Sequence, residues 1–209
     1  MLFRIVCLLI GYAFGLFQTS YLMGKMSGID IREHGSKSAG FTNTNRILGI
    51  KKGAVVFVVD VLKAALAFVV ATLIYRGLDA GGTFFTSNWV LPGLYAGFGA
   101  VLGHSFPFYL KFRGGKGVSC ALGLIIMLDW RVALISFVIG FIAVALSRFI
   151  SLASLLITLS VPILMFVFGY KMEIIGLAAL LCMLIWILHR ANIQRLLSGG
   201  ENKFSFRRK

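Results

Sequence analysis

Acidic residues are scarce: seven Asp and Glu stand against 21 Lys and Arg in 209 residues, and only 13% of the chain is charged. Soluble domains carry roughly a quarter. Cysteine is equally sparse. Cys7, Cys120 and Cys182 are scattered through apolar stretches. That supplies neither a disulfide framework nor metal-ligand spacing, and fits small buried side chains. His34, His104 and His189 are the only histidines and show no ligand spacing. The chain also lacks a GxSxG elbow, an aspartate-rich metal motif and any histidine followed five positions later by aspartate. These absences argue against a disulfide scaffold, serine hydrolysis and metal-dependent transfer. No metal or cofactor is expected.

What the chain has is apolar length: 59% hydrophobic residues and a mean hydropathy of +0.92. A helix crossing a hydrocarbon core of about 30 Å needs about 20 such residues. Seven stretches qualify as spans: Leu2–Met23, Gly53–Tyr75, Trp89–Leu110, Val118–Leu128, Val132–Ser147, Leu152–Gly169 and Ile174–Leu188. The expected fold is an all-α integral membrane protein with seven transmembrane helices, one domain over residues 1–209. The fourth span is short. At about 1.5 Å rise per residue it covers part of the bilayer, as a partial or tilted helix. The first span lacks a cleavage site of small residues and reads as a retained helix.

Basic residues collect on one side of this arrangement. Lys25, Arg32, Lys37, Arg46, Lys51, Lys52, Lys111, Arg113, Lys116 and Arg148 share it with Arg190, Arg195, Lys203, Arg207, Arg208 and Lys209. Only Arg4, Arg76, Arg131 and Lys171 face the other way, and Lys63 falls within a span. The positive-inside rule makes the richer side cytoplasmic, with the N-terminus outside and the C-terminus inside. The net charge of +14 therefore reports topology, not nucleic-acid binding. Residues 198–209 read as a basic cytoplasmic tail lying loosely against anionic headgroups.

Three polar segments interrupt the apolar mass, all on the cytoplasmic side. In GSKSAGFTNTNR, Gly35 and Gly40 allow turns that expose N–H groups, and Ser36, Ser38, Thr42, Asn43 and Asn45 add short donors. Arg46 can grip two phosphate oxygens at once. The alternative is an ordinary solvated loop. In GHSFPFYLKFRGGKGV, Gly114, Gly115 and Gly117 surround Lys116. A Walker loop is excluded because Leu110 and Gly117 stand where Gly and Ser or Thr are required. What remains is a phosphate loop at the head of the fourth helix. His104 either donates to that phosphate or caps its helix.

The third segment, HRANIQRL, reads as helix, with His189, Asn192 and Arg195 at spacings of three on one face. Its arginines serve headgroups equally well. Asp60 and Lys63, also three apart, lie inside the second span, either as a functional group or as a mutually neutralising pair. Arg148, Ser151 and Ser154 offer further donors to the cytoplasmic side. His189 is the sole plausible general base, so positioning and charge must drive most of the chemistry.

These residues carry a resemblance. SYLMGK and DIREHGSKSAGFTNTNRILG, then GHSFPFYLKFRGGKGV, RFISLAS and HRANIQRLLSGGE, resemble in order and spacing the PlsY family of bacterial acyl-phosphate:glycerol-3-phosphate acyltransferases. The likeness covers the whole chain. Where the family usually reads GSGN, this chain has Gly35-Ser36-Lys37-Ser38. Phe41 replaces a usual alanine, and Ala64 a frequent glycine.

The resemblance implies acyl transfer from acyl-phosphate to the 1-hydroxyl of glycerol 3-phosphate, at the cytoplasmic face of the bacterial inner membrane. It implies catalytic roles for Ser36, Arg46, Lys116, His189 and Asn192. Gly35, Gly40, Thr42, Asn43, His104, Gly114, Gly115, Gly117, Ser151, Ser154 and Arg195 would help bind substrate. The partners are acyl-phosphate, glycerol 3-phosphate and membrane lipid. A transporter of phosphorylated metabolites is the rival reading, weakened by the lack of related halves. A non-catalytic scaffold would leave the three segments idle.

Overall fold

The computed structural model of the protein describes residues 2–78 and 90–204, and every regular element among them is helical. In chain order these are α1 (Leu2–Gly15), α2 (Thr19–Lys25), α3 (Phe41–Leu48), α4 (Ile50–Leu78) and α5 (Val90–Ser105). Then follow α6 (Val118–Leu128), α7 (Trp130–Ser147), α8 (Ile150–Val167), α9 (Met172–Leu188) and α10 (Arg190–Leu197). Trp89, where the third span was expected to begin, and the last five residues of the basic tail lie outside the described residues. The helices gather into two compact units, Met1–Leu128 and Asp129–Lys209.

Glycines four apart leave a groove on a helix face into which a second backbone can settle, the packing device of membrane helices. In the first unit, Gly11 and Gly15 of α1 meet Gly99 and Gly103 of α5. A Cβ at Gly11 would overlap the Ala96 carbonyl, and one at Gly15 the Ala100 carbonyl. Reciprocally, Gly99 abuts the Leu8 carbonyl and Gly103 the Tyr12 carbonyl. The long α4 packs on α5 and α6, and α3 lies against α4. Between α1 and α2 the chain breaks, and Gln18 covers helix-end carbonyls there. Its Nε2 donates to His104 O at 2.9 Å, Gly15 O at 3.2 Å and Gly103 O at 3.3 Å.

The second unit winds α7, α8 and α9 against one another, with Ser160 Oγ donating to Ser136 Oγ at 2.8 Å between α8 and α7. Asp129 caps α7, accepting from the Arg131 backbone and guanidinium and from the Tyr170 hydroxyl. The Arg131 side-chain hydrogen bond, foremost, holds its carboxyl well below the usual carboxylate range. α9 and α10 meet at a 64° bend.

Four described helices are long and apolar enough to cross a bilayer: Leu2–Lys25, Ile50–Gly77, Trp130–Ser147 and Ile150–Val167. The bent pair α9–α10 makes a fifth if taken as one span. α5 has 16 residues and α6 only 11, so the expected third and fourth spans are short helices. α4, with 29 residues, outruns its apolar window because Lys51, Lys52 and Arg76 end a hydropathy run without breaking a helix.

Candidate functional site

The first polar segment is half turn, half helix. Ile31–Glu33 make one short 3-10 helix, residues 34–40 follow as turn and bend, and α3 begins at Phe41, with Gly40 in extended geometry at its N-cap. A glycine- and serine-rich spelling suggested a loop throughout; the short helix is set by tertiary contacts. Asn43 is the clasp. Its Oδ1 accepts the Ser36 N–H at 2.8 Å, and its Nδ2 donates to Ile31 O and His34 O, each at 3.0 Å. The amide is thus spent on backbone. Gly35 adopts φ +59°, and a Cβ there would overlap Asn43 Oδ1. Ser36 is exposed, and so is Arg46, four residues beyond half-buried Thr42 on the same α3 face.

Asp30 anchors the start of this segment. It accepts from the Arg32 backbone N–H and from the guanidinium, whose Nη2 lies 2.7 Å from Oδ2. That side-chain hydrogen bond lowers its carboxyl to about 2. Arg32 Nη1 then donates to Leu110 O at 3.0 Å, joining the first polar segment to the second.

The second segment folds as a hairpin-like strap. Gly114 N donates to Ser105 O and Gly115 N to His104 O, both at 3.1 Å, while Ala39 N donates to Gly114 O at 3.3 Å. A Cβ at Gly114 would overlap the His104 carbonyl; one at Gly115 would overlap the His104 ring and the Ala39 carbonyl. Gly117 sits at φ +81°. These glycines permit close backbone packing and a left-handed turn. Lys116, half-buried, is carried between them immediately before α6.

Asp60, Lys63 and His104 come together beneath the strap. The Lys63 ammonium lies 2.8 Å from Asp60 Oδ1, 2.8 Å from Phe17 O and 2.9 Å from His104 Nδ1. All three residues are buried. Cys120 completes a group with Asp60 and His104 whose potential ligand atoms lie within 4.8 Å of one another. A metal does not fit that group, because the Lys63 ammonium already stands between carboxylate and imidazole as their cation. The sequence paired Asp60 with Lys63 but gave no sign that His104, 41 residues on, closes the cluster.

The third segment lies in the second unit. His189 is not within a continuous helix; it is the buried corner residue between α9 and α10. Its Nδ1 lies 2.8 Å from Ile185 O. A carbonyl only accepts, so Nδ1 carries a proton. Asn192 and Arg195 do share one face, and Glu201 joins them. Asn192 Nδ2 donates to Glu201 Oε1 at 3.0 Å, and Arg195 Nε to Oε2 at 2.9 Å.

Sequence reasoning missed Glu201, although it stood in the quoted motif, because it lies in the stretch read as a loose tail. The described part of that tail is tied down. Gly200 N donates to Arg195 O and Phe204 N to Arg148 O. Nearby on α8, Ser154 Oγ is used on Ile150 O, whereas buried Ser151 Oγ has no hydrogen-bond partner among the described residues.

The first unit also contains an apolar groove of about 360 Å³ between α1 and α4, lined by Ala13, Phe14, Phe17, Val59, Leu62 and Leu66. Lys63 also lines it.

Comparison with known proteins places the sequence and the fold. Residues 5–199 match the family model for glycerol-3-phosphate acyltransferase. A glycerol-3-phosphate acyltransferase of Acaryochloris marina is 40% identical, covering 94% of this chain and 90% of its own. One of Aquifex aeolicus is 37% identical, covering 92% and 95%. The fold is similar to crystal structures of PlsY, an integral membrane glycerol 3-phosphate acyltransferase. Its glycerol 3-phosphate form aligns with a TM-score of 0.83 at 35% identity, covering 97% of this chain and 96% of that one. Its lysophosphatidic acid form aligns at 0.80 and 34%. The chain is an all-helical, multi-pass membrane protein and belongs to the glycerol-3-phosphate acyltransferase family.

Proposed function

We propose that this protein transfers a fatty acyl group from acyl-phosphate to the 1-hydroxyl of glycerol 3-phosphate. The products are lysophosphatidic acid and inorganic phosphate, in the first acylation step of bacterial phospholipid synthesis. The observation that carries the reading is the glycine strap around Lys116. It is pinned by backbone hydrogen bonds to His104, Ser105 and Ala39, within a chain of the acyltransferase family. A backbone preorganised around a cation suits a reaction between two anions whose donor is already activated.

Ser36, Arg46 and Lys116 bind phosphate groups, with Thr42 beside them, while the Gly114 and Gly115 N–H groups are used on the Ser105 and His104 carbonyls. His189, Asn192 and Arg195 orient the glycerol moiety, and Glu201 holds the latter two in register. The substrate 1-hydroxyl oxygen attacks the acyl carbonyl carbon and the carbon–oxygen bond to phosphate breaks. The hydroxyl proton passes to His189 Nε2 or to a phosphate oxygen of the donor. The acyl tail lies in a groove open to lipid, and the α1–α4 groove is suited to it by its lining.

The chain acts as one acyltransferase domain with seven spans, α1–α2 counting as the first and α5 and α6 as short ones. Its N-terminus is outside and its polar segments cytoplasmic, in the inner membrane. The 16-to-4 distribution of basic residues read from the sequence supports that orientation. The reading is tested by incubating purified protein with acyl-phosphate and glycerol 3-phosphate. Lysophosphatidic acid is the expected product, and its absence contradicts the proposal.

A further inference from the structure

Asp60 and Lys63 sit too deep to meet a phosphate themselves, yet a charged cluster this buried is expensive to maintain without a task. His104, 3% exposed, joins this cluster to the strap. An ammonium only donates, so the 2.9 Å contact from Lys63 Nζ to Nδ1 is a hydrogen bond when Nδ1 keeps its lone pair and the ring proton sits on Nε2. Asp60 Oδ1, 3.5 Å from Nδ1 and 2.8 Å from Nζ, neutralises the ammonium and holds it there. Nε2 faces the other way, onto the Cα of Gly115 in the strap. The outward nitrogen of this buried ring thus points into the loop that carries Lys116.

We propose that Asp60 and Lys63 are positioning residues that lock His104 in its Nε2–H tautomer, so that His104 donates a hydrogen bond to the phosphate held by the Gly114–Gly117 strap. His189 is held by the same ring nitrogen, its Nδ1 donating to Ile185 O. This inference rests on the phosphate-binding role given to the strap under the proposed function.

The test uses full-length protein labelled with ¹⁵N-histidine in lipid nanodiscs. Only three histidines contribute signals, and His34→Gln and His104→Gln assign them. The expected wild-type spectrum shows His104 protonated on Nε2 and bare on Nδ1, with the Nε2 resonance moving as inorganic phosphate saturates the site. In Lys63→Met and in the double variant Asp60→Asn/Lys63→Met the single-tautomer signature is lost. The inhibition constant for inorganic phosphate then weakens about ten- to hundredfold, the worth of a charge-assisted hydrogen bond. His104→Gln, whose amide reaches the Nε2 position, stays within about threefold; His104→Leu does not.

A proton on Nδ1 in wild type, or an Nε2 resonance indifferent to saturating phosphate, overturns the lock. If the buried-charge variants do not fold, the wild-type spectrum with and without phosphate decides alone. Wild-type protein that makes lysophosphatidic acid yet fails the spectroscopic test loses the lock and keeps the function. Protein that passes it but makes no product loses the proposed function.

Discussion

Asn43 holds Ser36 by its backbone: the amide oxygen accepts the Ser36 N–H at 2.8 Å while the amide nitrogen reaches two carbonyls of the preceding turn. The serine hydroxyl itself faces outward. A residue grouped with the ligand-binding set is therefore the one that shapes the segment, leaving Ser36 and Arg46 as its chemical groups.

Asn43→Ala leaves one N–H and two carbonyls without their partner, at a cost of about 1–3 kcal/mol for an unsatisfied buried group. Thermal unfolding should shift down and turnover should fall with it. Asn43→Asp keeps the acceptor for Ser36 but loses both donations and should be intermediate. Unchanged stability in Asn43→Ala would show that the turn holds without its clasp.

Lys116→Ala and Arg46→Ala should each lower acyl-phosphate turnover by about a hundredfold or more, the usual effect of removing one preorganised charge donor, with unfolding temperature preserved. Lys116→Arg should recover little, since the wider fork must fit between the closely packed Gly115 and Gly117. Turnover within a few-fold of wild type in either alanine variant would remove that residue from the phosphate clamp.

Glu201→Ala frees Asn192 and Arg195 from their common acceptor. The account expects about a tenfold rise in KM for glycerol 3-phosphate, with Glu201→Gln closer to wild type because its amide oxygen still accepts from Asn192. Steady-state kinetics in both substrates checks this, and an unchanged KM would make the Glu201 contacts purely structural.

Gly103→Leu places a side chain where the Tyr12 carbonyl lies. Overpacking of this kind costs about 1–3 kcal/mol, and here α1 and α5 cannot part without exposing the Gln18 hydrogen bonds. The expected outcome is lower thermal stability and poor folding yield, while Gly77→Leu, in open space on α4, is tolerated.

Asp30 sets a pH dependence. Arg32 lowers its carboxyl to about 2, below the unfolded value of about 3.9. A depressed carboxyl stabilises the fold above the unfolded value and loses that contribution as pH falls through about 2. Wild type should be more stable than Asp30→Asn between pH 5 and 7, and the two melting curves should converge only below about pH 2. A difference independent of pH would dissociate the charge from the effect.

Helix positions from α4 to α9 were legible because an apolar run of known length is a strong signal. The glycines around Lys116 pointed to a closely packed backbone, and Gly114 and Gly115 do lie against His104. What stayed hidden depends on contacts between residues distant in sequence. The α3 helix was concealed by small polar residues that favour turns. The Asp60–Lys63–His104 cluster needs α4 and α5 side by side, which GxxxG packing and the apolar pattern do not specify. Glu201 was overlooked because a basic, polar stretch normally reads as a solvated tail.

Product formation under donor competition tests the central claim most directly. Purified protein is given glycerol 3-phosphate with acyl-phosphate, with acyl-CoA or with no donor, and lysophosphatidic acid and free phosphate are both quantified. The account predicts one phosphate released per lysophosphatidic acid formed with acyl-phosphate, and no product in the other two arms. Product from acyl-CoA alone, or phosphate release without acylated product, would contradict it.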